Sequence, residues 1–252
     1  MIRGSAITLR RGGRSVLEGI DLDLVGGEVL ALVGPNGAGK SSLLGVLAGE
    51  FVPEVGVVEL DGRPIGSYSN AELARRRAVL TQEYTVTFPF LVREIVAMGR
   101  APWARRPEAD GDDEIIEASM AETDVARFAL RRTTELSGGE RARVALARVL
   151  AQRTSIVLLD EPTAALDLGH QEQVMLLARR LADGGRAVGV VLHDLSLAAA
   201  YADRIALLHE GRLIAIGAPA EVLTAERVGA VYETPVRVVE IDGVPVVVPI
   251  RH

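Results

Sequence analysis

Apolar runs alternate with amphipathic stretches along most of the chain. Three runs are short and almost continuously apolar, and each ends in a glycine, an acidic residue or a histidine: "EVLALVG", "TSIVLLDEP" and "AVGVVLHDL". Such runs are typical of strands that are buried on both faces. The stretches "SSLLGVLAG" and "DLGHQEQVMLLARRLADGG" have helical periodicity and stop at glycine. Buried strands that alternate with helices predict an α/β fold with a mostly parallel sheet.

The remaining pattern adds smaller parts to this core. "SAITLR" and "VLEGIDLDLV" predict a separate antiparallel β layer near the N-terminus, and "DRIALLHEGRLIAIG" predicts a hairpin turned at Glu210 and Gly211. Residues from about 90 to 150 have a helical pattern, interrupted by the Pro-, Gly- and charge-rich "RAPWARRPEADGDD", which we expect to be a loop. We therefore expect one domain over residues 1–252, with an α-helical subdomain inserted at about 90–150.

Composition narrows the possible partners. The 252 residues carry a net charge of -6, so we expect no nucleic-acid partner, since that role needs a basic face. The absence of cysteine excludes disulfides and thiolate metal sites. The start "MIRGSAITLRRGG" has no apolar signal-peptide core, and no run approaches the roughly eighteen apolar residues of a membrane helix. Any role at a membrane is therefore expected to depend on partner proteins.

A glycine-rich loop after the first buried run carries the clearest chemistry. "GPNGAGKS" matches the pattern G-x-x-x-x-G-K-[ST], with a strand before it and a helix after it. Glycines allow backbone N–H groups to curl around phosphates, the lysine reaches the β- and γ-phosphates, and the serine hydroxyl coordinates Mg²⁺. We predict that ATP is bound by this loop, through Gly34, Pro35, Asn36, Gly37, Ala38, Gly39, Lys40, Ser41 and Ser42.

Polar residues at the ends of other strands complete this prediction. Asp160 leaves its strand where it could hold Mg²⁺, and Glu161 could deprotonate the attacking water. Gln82 and His193 also end apolar strands. Either would mean little alone, but ligands of α/β proteins bind at this edge of the sheet. We therefore place Gln82 with Ser41 and Asp160 as candidate Mg²⁺ ligands.

A second turn with phosphate-binding character lies about a hundred residues after the first. In "ELSGGERARVALARVLAQ", Ser137 and Glu140 form the spacing of a capping box, so one interpretation is simply a well-capped helix. That interpretation does not explain the two consecutive glycines, Gly138 and Gly139. Glycines at the positive end of a helix let a large anion approach the backbone amides.

The order of these motifs resembles the ATP-binding-cassette (ABC) ATPases, which have a P-loop NTPase (RecA-like) core with antiparallel β and α-helical subdomains. "GPNGAGKSS", Gln82, "LSGGE", "IVLLDEP", "AALD" and His193 occur in the family's order. The resemblance implies a homodimer in which each signature turn contacts the ATP of the other subunit. It implies signature contacts from Ser137, Gly138, Gly139 and Glu140, a dimer contact from Asp167, and catalytic roles for Glu161, His193, Gln82 and Lys40.

Several longer stretches narrow the resemblance to one group of importers. "FPFLVREIVAMGRAPW", "VVLHDLSLAAAYADRIALLHEGRLIAIGAPAEVLTAERVGAVY" and "TPVRVVEIDGVPVVVP" resemble the ATPase subunits of bacterial haem (hemin) importers, a group that also imports iron-siderophores and vitamin B12. The resemblance implies two membrane-spanning permease subunits, an external substrate-binding protein, and a peripheral place on the cytoplasmic side of the cell membrane. The alternatives are a siderophore or B12 importer and, from another class, a soluble cassette protein that remodels a ribosomal or nucleic-acid complex.

Two features bear on how such a subunit would bind its nucleotide and its permease. Family members usually stack adenine on an aromatic residue before the P-loop, but this chain has no aromatic residue before Phe51. Arg10 and Arg11 occupy the matching place, and an arginine plane can stack on a base; we name Arg11 as the candidate. The apolar segment "EYTVTFPFLVRE" after Gln82 is expected to dock the permease, or else to form local packing.

Overall fold

The computed structural model describes residues 1–81 and 88–251. Its strands are β1 (Ile2–Arg11), β2 (Arg14–Leu24), β3 (Val29–Val33), β4 (Val55–Leu60), β5 (Arg63–Pro64), β6 (Arg77–Leu80), β7 (Ile156–Asp160), β8 (Ala187–Val191), β9 (Arg204–His209), β10 (Arg212–Gly217), β11 (Val236–Ile241) and β12 (Val244–Pro249). Its α-helices are α1 (Lys40–Leu47), α2 (Asn70–Arg76), α3 (Val92–Ala97), α4 (Asp112–Glu122), α5 (Gly138–Ala151), α6 (Leu168–Asp183), α7 (Leu195–Tyr201), α8 (Pro219–Val222) and α9 (Ala225–Val231).

The chain forms two compact units, and the first contains Met1–Tyr68 and Ala178–His252. In this unit β3 pairs in parallel with both β8 and β9, and β10 is antiparallel to β9. Every residue of β3 and β8 is buried, which explains why their sequences are continuously apolar. A second, antiparallel sheet has the strand order β2-β1-β4-β5. The parallel core strands and the antiparallel β layer confirm the predicted fold class.

The second unit, Ser69–Leu177, is mainly helical. Its strands β6 and β7 are parallel, and α3, α4 and α5 share one apolar core. That core consists of Val92, Ile95, Val96, Ile116, Met120, Val125, Phe128, Leu136, Val144, Ala147 and Ala151. The predicted helical segment is therefore confirmed, whereas its description as an insertion in one domain over 1–252 stays a prediction.

Two segments differ from the sequence-based expectation. "RAPWARRPEADGDD" is not an open loop, because short 3₁₀ turns fill it and α4 already begins at Asp112. Arg100, which is only 4% exposed, orders this segment by donating to the Asp112 carboxylate at 2.6 Å and to the Glu108 carbonyl at 2.6 Å. The β11–β12 hairpin was not predicted. Within the described ranges, no helix is long and apolar enough to cross a membrane.

Candidate nucleotide site

The glycine-rich loop connects the end of β3 to α1 and holds its lysine on the inside. The Lys40 ammonium donates to the Gly34 carbonyl at 2.8 Å and to the Pro35 carbonyl at 2.9 Å, and the residue is only 5% exposed. A buried ammonium is costly unless it is paired or hydrogen-bonded. The loop therefore holds a cation among its own carbonyls, and an anion brought to this loop would meet a charge that is already in place.

The shape of the loop requires glycine at two positions. Gly34 has φ +148°, and an added Cβ would lie 2.2 Å from the Leu208 carbonyl oxygen. Gly39 has φ +99°, and an added Cβ would lie 2.8 Å from the Val16 carbonyl oxygen. L-residues rarely adopt these conformations, and the clashing atoms belong to the backbone, so neither contact can be relieved by a side-chain movement. This loop fits the phosphates of a nucleotide because its backbone can curl tightly.

Tyr232, which the sequence analysis did not select, also lies at this loop. Burial raises the pKa of its phenol to about 12, and the Gly34 amide offsets part of that shift. The hydroxyl oxygen is buried, and no residue in the described ranges meets the usual distance and angle limits for a hydrogen bond to it. Its position just after α9 brings the C-terminal part of the chain to the first glycine of the loop. Nothing in the local sequence indicates this contact, because about 200 residues separate the two.

Asp160 and Glu161 lie where β7 ends, as predicted. Asp160 is 9% exposed, and the next residue turns out of the strand. Glu161 has φ +49°, an unusual value for a residue other than glycine, and it precedes Pro162. Such backbone strain is concentrated at functional sites. A cavity of about 210 Å³ beside Glu161 is also lined by Gly138 and Arg141 at the start of α5.

The signature turn is the capped start of α5. The Ser137 hydroxyl accepts a hydrogen bond from the Glu140 amide at 3.3 Å, and the Glu140 carboxylate accepts one from the Ser137 amide at 2.7 Å. Hydrogen bonds that the Glu140 carboxylate accepts from the Ser137 amide and the Ser137 hydroxyl hold the pKa of the Glu140 carboxyl below its ordinary value. The capping box is therefore confirmed. Ser137 and Gly138 are both exposed, so the start of α5 is accessible to an approaching group.

The same turn lies against the segment that precedes α6. An added Cβ on Gly139 would be 3.2 Å from the Ala165 carbonyl oxygen and 3.5 Å from the Leu166 side chain. Asp167 follows directly. Its carboxylate accepts from the His170 amide at 2.9 Å and meets the ring Nδ1 of His170 at 2.7 Å. These two contacts hold the pKa of the Asp167 carboxyl below its ordinary value.

The remaining predicted residues are placed separately. His193 is exposed just after β8, beside Asp194, whose carboxylate caps α7 by accepting from the Ser196 amide at 2.8 Å. Gln82 lies outside the described residues, so its role as a magnesium ligand stays a prediction. Arg11 is exposed at the turn between β1 and β2, and its guanidinium lies 4.3 Å from the centre of the Phe51 ring.

The curled loop with its internal lysine, the capped glycine turn and the strained acidic strand end all lie within residues 17–164. The family model for ABC transporters matches residues 17–164, and the chain belongs to this family. It is 58% identical to the hemin import ATP-binding protein HmuV of Nocardia farcinica, over 96% of this chain and 86% of that protein. It is 56% identical to HmuV of Rhodococcus jostii, over 99% of this chain and 86% of that protein.

Solved structures agree with this assignment. One belongs to a protein assigned to the metal-chelate type of ABC transporter, in an inward-facing conformation; its TM-score is 0.83 at 26% identity, over 99% of this chain and 97% of that one. Another is the dimeric structure of MJ0796, a bacterial ABC transporter cassette, with a TM-score of 0.78 at 27% identity, over 87% of this chain and 99% of that one. The chain therefore has the fold of an ABC ATPase.

Proposed function

We propose that this chain is the ATP-hydrolysing subunit of a bacterial haem importer. The observation that carries the proposal is the Lys40 ammonium held inside the glycine-rich loop at the end of a buried strand. An apolar side chain could fill the same space without the cost of burying a charge, so packing alone does not explain a cation at this position. It matches the chemistry of the β- and γ-phosphates of ATP.

Each residue of the site has a defined part in hydrolysis. The amides of residues 34–42 and the Lys40 ammonium bind the phosphates. Glu161 takes the proton of the attacking water, and His193 contacts the γ-phosphate. The Ser41 hydroxyl, Asp160 and Gln82 would hold Mg²⁺, which supplies charge for the developing negative oxygens. Over residues 1–81 and 88–251 no three acidic or histidine side chains form a ready-made metal cluster. Few protein ligands suit Mg²⁺, since it keeps waters and binds substrate phosphates.

The second turn serves the nucleotide of another copy of the chain. Ser137 and Gly138 are exposed at the positive end of the 14-residue helix α5, where the helix dipole favours an anion. In a homodimer stacked head to tail, residues 137–140 complete the partner's ATP site, and Asp167 contacts the partner nearby. The dimeric MJ0796 cassette supports the existence of a dimer by analogy.

Adenine stacks on Arg11 instead of the usual aromatic residue. The Phe51 ring lies against the Arg11 guanidinium and orients it, since a planar cation is attracted to an aromatic face. A guanidinium held in one plane offers a stacking surface with little further loss of side-chain entropy. Arg10 is directed elsewhere, because it forms an exposed ion pair with Glu54 at 3.6 Å.

An exposed apolar surface on the helical unit would dock the permease. Phe88 is 69% exposed and Phe90 is 37% exposed, with ring centres 6.2 Å apart. Their segment is fixed from behind, because the Thr133 amide donates to the Phe90 carbonyl at 2.9 Å. A rigid segment that presents two aromatic rings to solvent is typical of a partner site. Residues 83–87 of the predicted docking segment lie outside the described ranges.

The docking assignment can be tested with Phe88→Asp in the assembled transporter. We expect basal ATPase activity within about twofold of wild type and loss of coupled transport. Val52→Asp is the matched control, because Val52 is 86% exposed and lies on the other unit. Loss of folded protein in Phe88→Asp, or equal transport in both variants, would contradict the docking assignment.

The choice of haem rests on the named relatives, and one experiment tests it. Two copies of the chain would be purified with their two permease subunits and reconstituted in vesicles with the external binding protein. We expect haem-loaded binding protein to stimulate ATP hydrolysis more than a ferric siderophore or cobalamin does. Stimulation only by one of those two would reassign the substrate. Co-purification with ribosomes instead of a permease would overturn the importer proposal, including its place on the cytoplasmic side of the membrane.

A further inference from the structure

Arg143 is a buried arginine in α5 that the proposed hydrolysis does not use. It is only 7% exposed, and its Nε is buried without a hydrogen-bond partner among the described residues. Burying a guanidinium without full hydrogen bonding is costly, so its retention needs an explanation. The side chain lines a small cavity between helices α4, α5 and α6, which it shares with Thr123 and His170.

Arg143 lies close in the fold to two exposed turns of this unit, the signature turn (residues 137–140) and the segment that ends at Asp167. It follows Gly139 by one helical turn, on the same face of α5, and Gly139 lies against Ala165 and Leu166. Arg143 is therefore placed behind the contact between the signature turn and the segment that ends at Asp167. His170, which shares the cavity, holds the Asp167 carboxylate through its amide and its ring.

The charge of Arg143 acts on a carboxylate in each turn. Hydrogen bonds with Ser137 make the largest contribution to the lowered pKa of Glu140, and the Arg143 cation lowers that pKa further. Hydrogen bonds with His170 make the largest contribution to the lowered pKa of Asp167, and Arg143 again adds to the effect. One buried cation therefore attracts the capping carboxylates of α5 and α6 together, and separating the two turns would weaken at least one attraction.

We propose that Arg143 is a positioning residue. It holds the signature turn (residues 137–140) and the Asp167 turn (residues 165–167) at a fixed distance and orientation within one subunit. This inference rests on the proposed function, in which both turns reach the partner subunit. The two turns then approach the partner as one rigid surface, and a loss of register misplaces Ser137 relative to the partner's γ-phosphate. A misplacement of about 1 Å can reduce a reaction rate by about 10²-fold.

The test compares Arg143→Met, Arg143→Lys and the same-helix control Arg148→Met in the full-length protein. We expect Arg143→Met to lower kcat about tenfold at unchanged monomer affinity for ATP and unchanged midpoint of thermal unfolding. Arg143→Lys should recover most of the rate, because it keeps the charge, and Arg148→Met should match wild type. Asp167→Asn should lower kcat by a smaller factor in the Arg143→Met background than in the wild-type background, because both substitutions break the same link.

Four results would overturn the positioning role. These are a wild-type kcat in Arg143→Met, a loss of rate that only follows a loss of folded protein, no rescue by lysine, and additive effects of Asp167→Asn and Arg143→Met. If Arg143→Met does not fold, the same cycle is measured with Arg143→Gln, which also removes the charge, and additivity again rejects the link. Failure of the proposed function is distinguishable, because the wild-type protein would then neither hydrolyse ATP nor dimerise with it.

Discussion

Gly138 offers a direct test of why the signature turn contains glycine. Gly138 is the first residue of α5, it is exposed, and an added Cβ would meet no heavy atom within 4 Å. Its φ is outside the left-handed region, so alanine can adopt the same backbone conformation without strain. Folding alone therefore gives no reason for glycine at this position. If the glycine serves an approaching phosphate, Gly138→Ala should separate stability from activity.

The structure sets the expected magnitude of both effects. Replacing an unstrained glycine by alanine restricts the unfolded chain and stabilises the fold by about 0.4–1 kcal/mol. For a chain of this size such a gain raises the midpoint of thermal unfolding by about 1–4 °C. The added methyl group would occupy the space that the partner's γ-phosphate must enter. A displacement of about 1 Å can cost about 10²-fold in rate, so we expect ATPase activity to fall about 10- to 100-fold.

The assay needs thermal unfolding and steady-state ATP hydrolysis on the same preparations. Gly66→Ala is the matched control, because Gly66 is also exposed, has an ordinary φ and has no heavy atom within 4 Å of an added Cβ. The control should gain similar stability and keep its activity. ATPase activity within twofold of wild type in Gly138→Ala, with the expected gain in stability, would refute the idea that this glycine admits a phosphate.

Three further predictions test other residues of the site. Glu161→Gln should bind ATP normally and lose about 10²- to 10⁴-fold in hydrolysis, as expected for loss of a general base; rapid steady-state turnover would remove Glu161 from that role. Arg11→Ala should raise the Kd for ATP several-fold and Arg11→Tyr should restore it; equal affinities in both variants would exclude stacking. The raised pKa of Tyr232 means that only the unfolded chain releases this proton between pH 10 and about pH 12. Wild type should therefore lose stability relative to Tyr232→Phe across that range, measured by urea unfolding, and parallel pH profiles would contradict this.

Much of the fold could be predicted because its signals are local. The strands β3, β7 and β8 are buried along their whole length, and their sequences are accordingly almost uninterrupted apolar runs. The turn between β9 and β10 has positive φ at Glu210 and Gly211, as an acidic residue followed by glycine indicates. The start of α5 was predictable from the three-residue spacing of Ser137 and Glu140 alone.

Other contacts could not be predicted, because they join distant parts of the chain. Tyr232 meets the first glycine of the phosphate loop about 200 residues away, and no periodicity reports such a pair. Arg100 orders the segment expected to be a loop through a carboxylate and two carbonyls, which composition alone does not reveal. The contact of Gly139 with Ala165 is equally hidden, since glycine has no side chain whose type would indicate a neighbour.

The capping box and the phosphate-binding interpretation of "LSGGE" are compatible, and the geometry shows how. The Ser137 oxygen accepts from the Glu140 amide, and the Ser137 hydroxyl also hydrogen-bonds the Glu140 carboxylate. If the hydroxyl rotated toward a γ-phosphate oxygen, that oxygen could accept the proton while both amide hydrogen bonds of the cap remained. Glu140 would by itself repel the anion, yet its carboxylate already accepts from the Ser137 amide and is attracted by the Arg143 cation. The same residues that stabilise the helix would thus position the serine for the proposed contact with a partner's nucleotide.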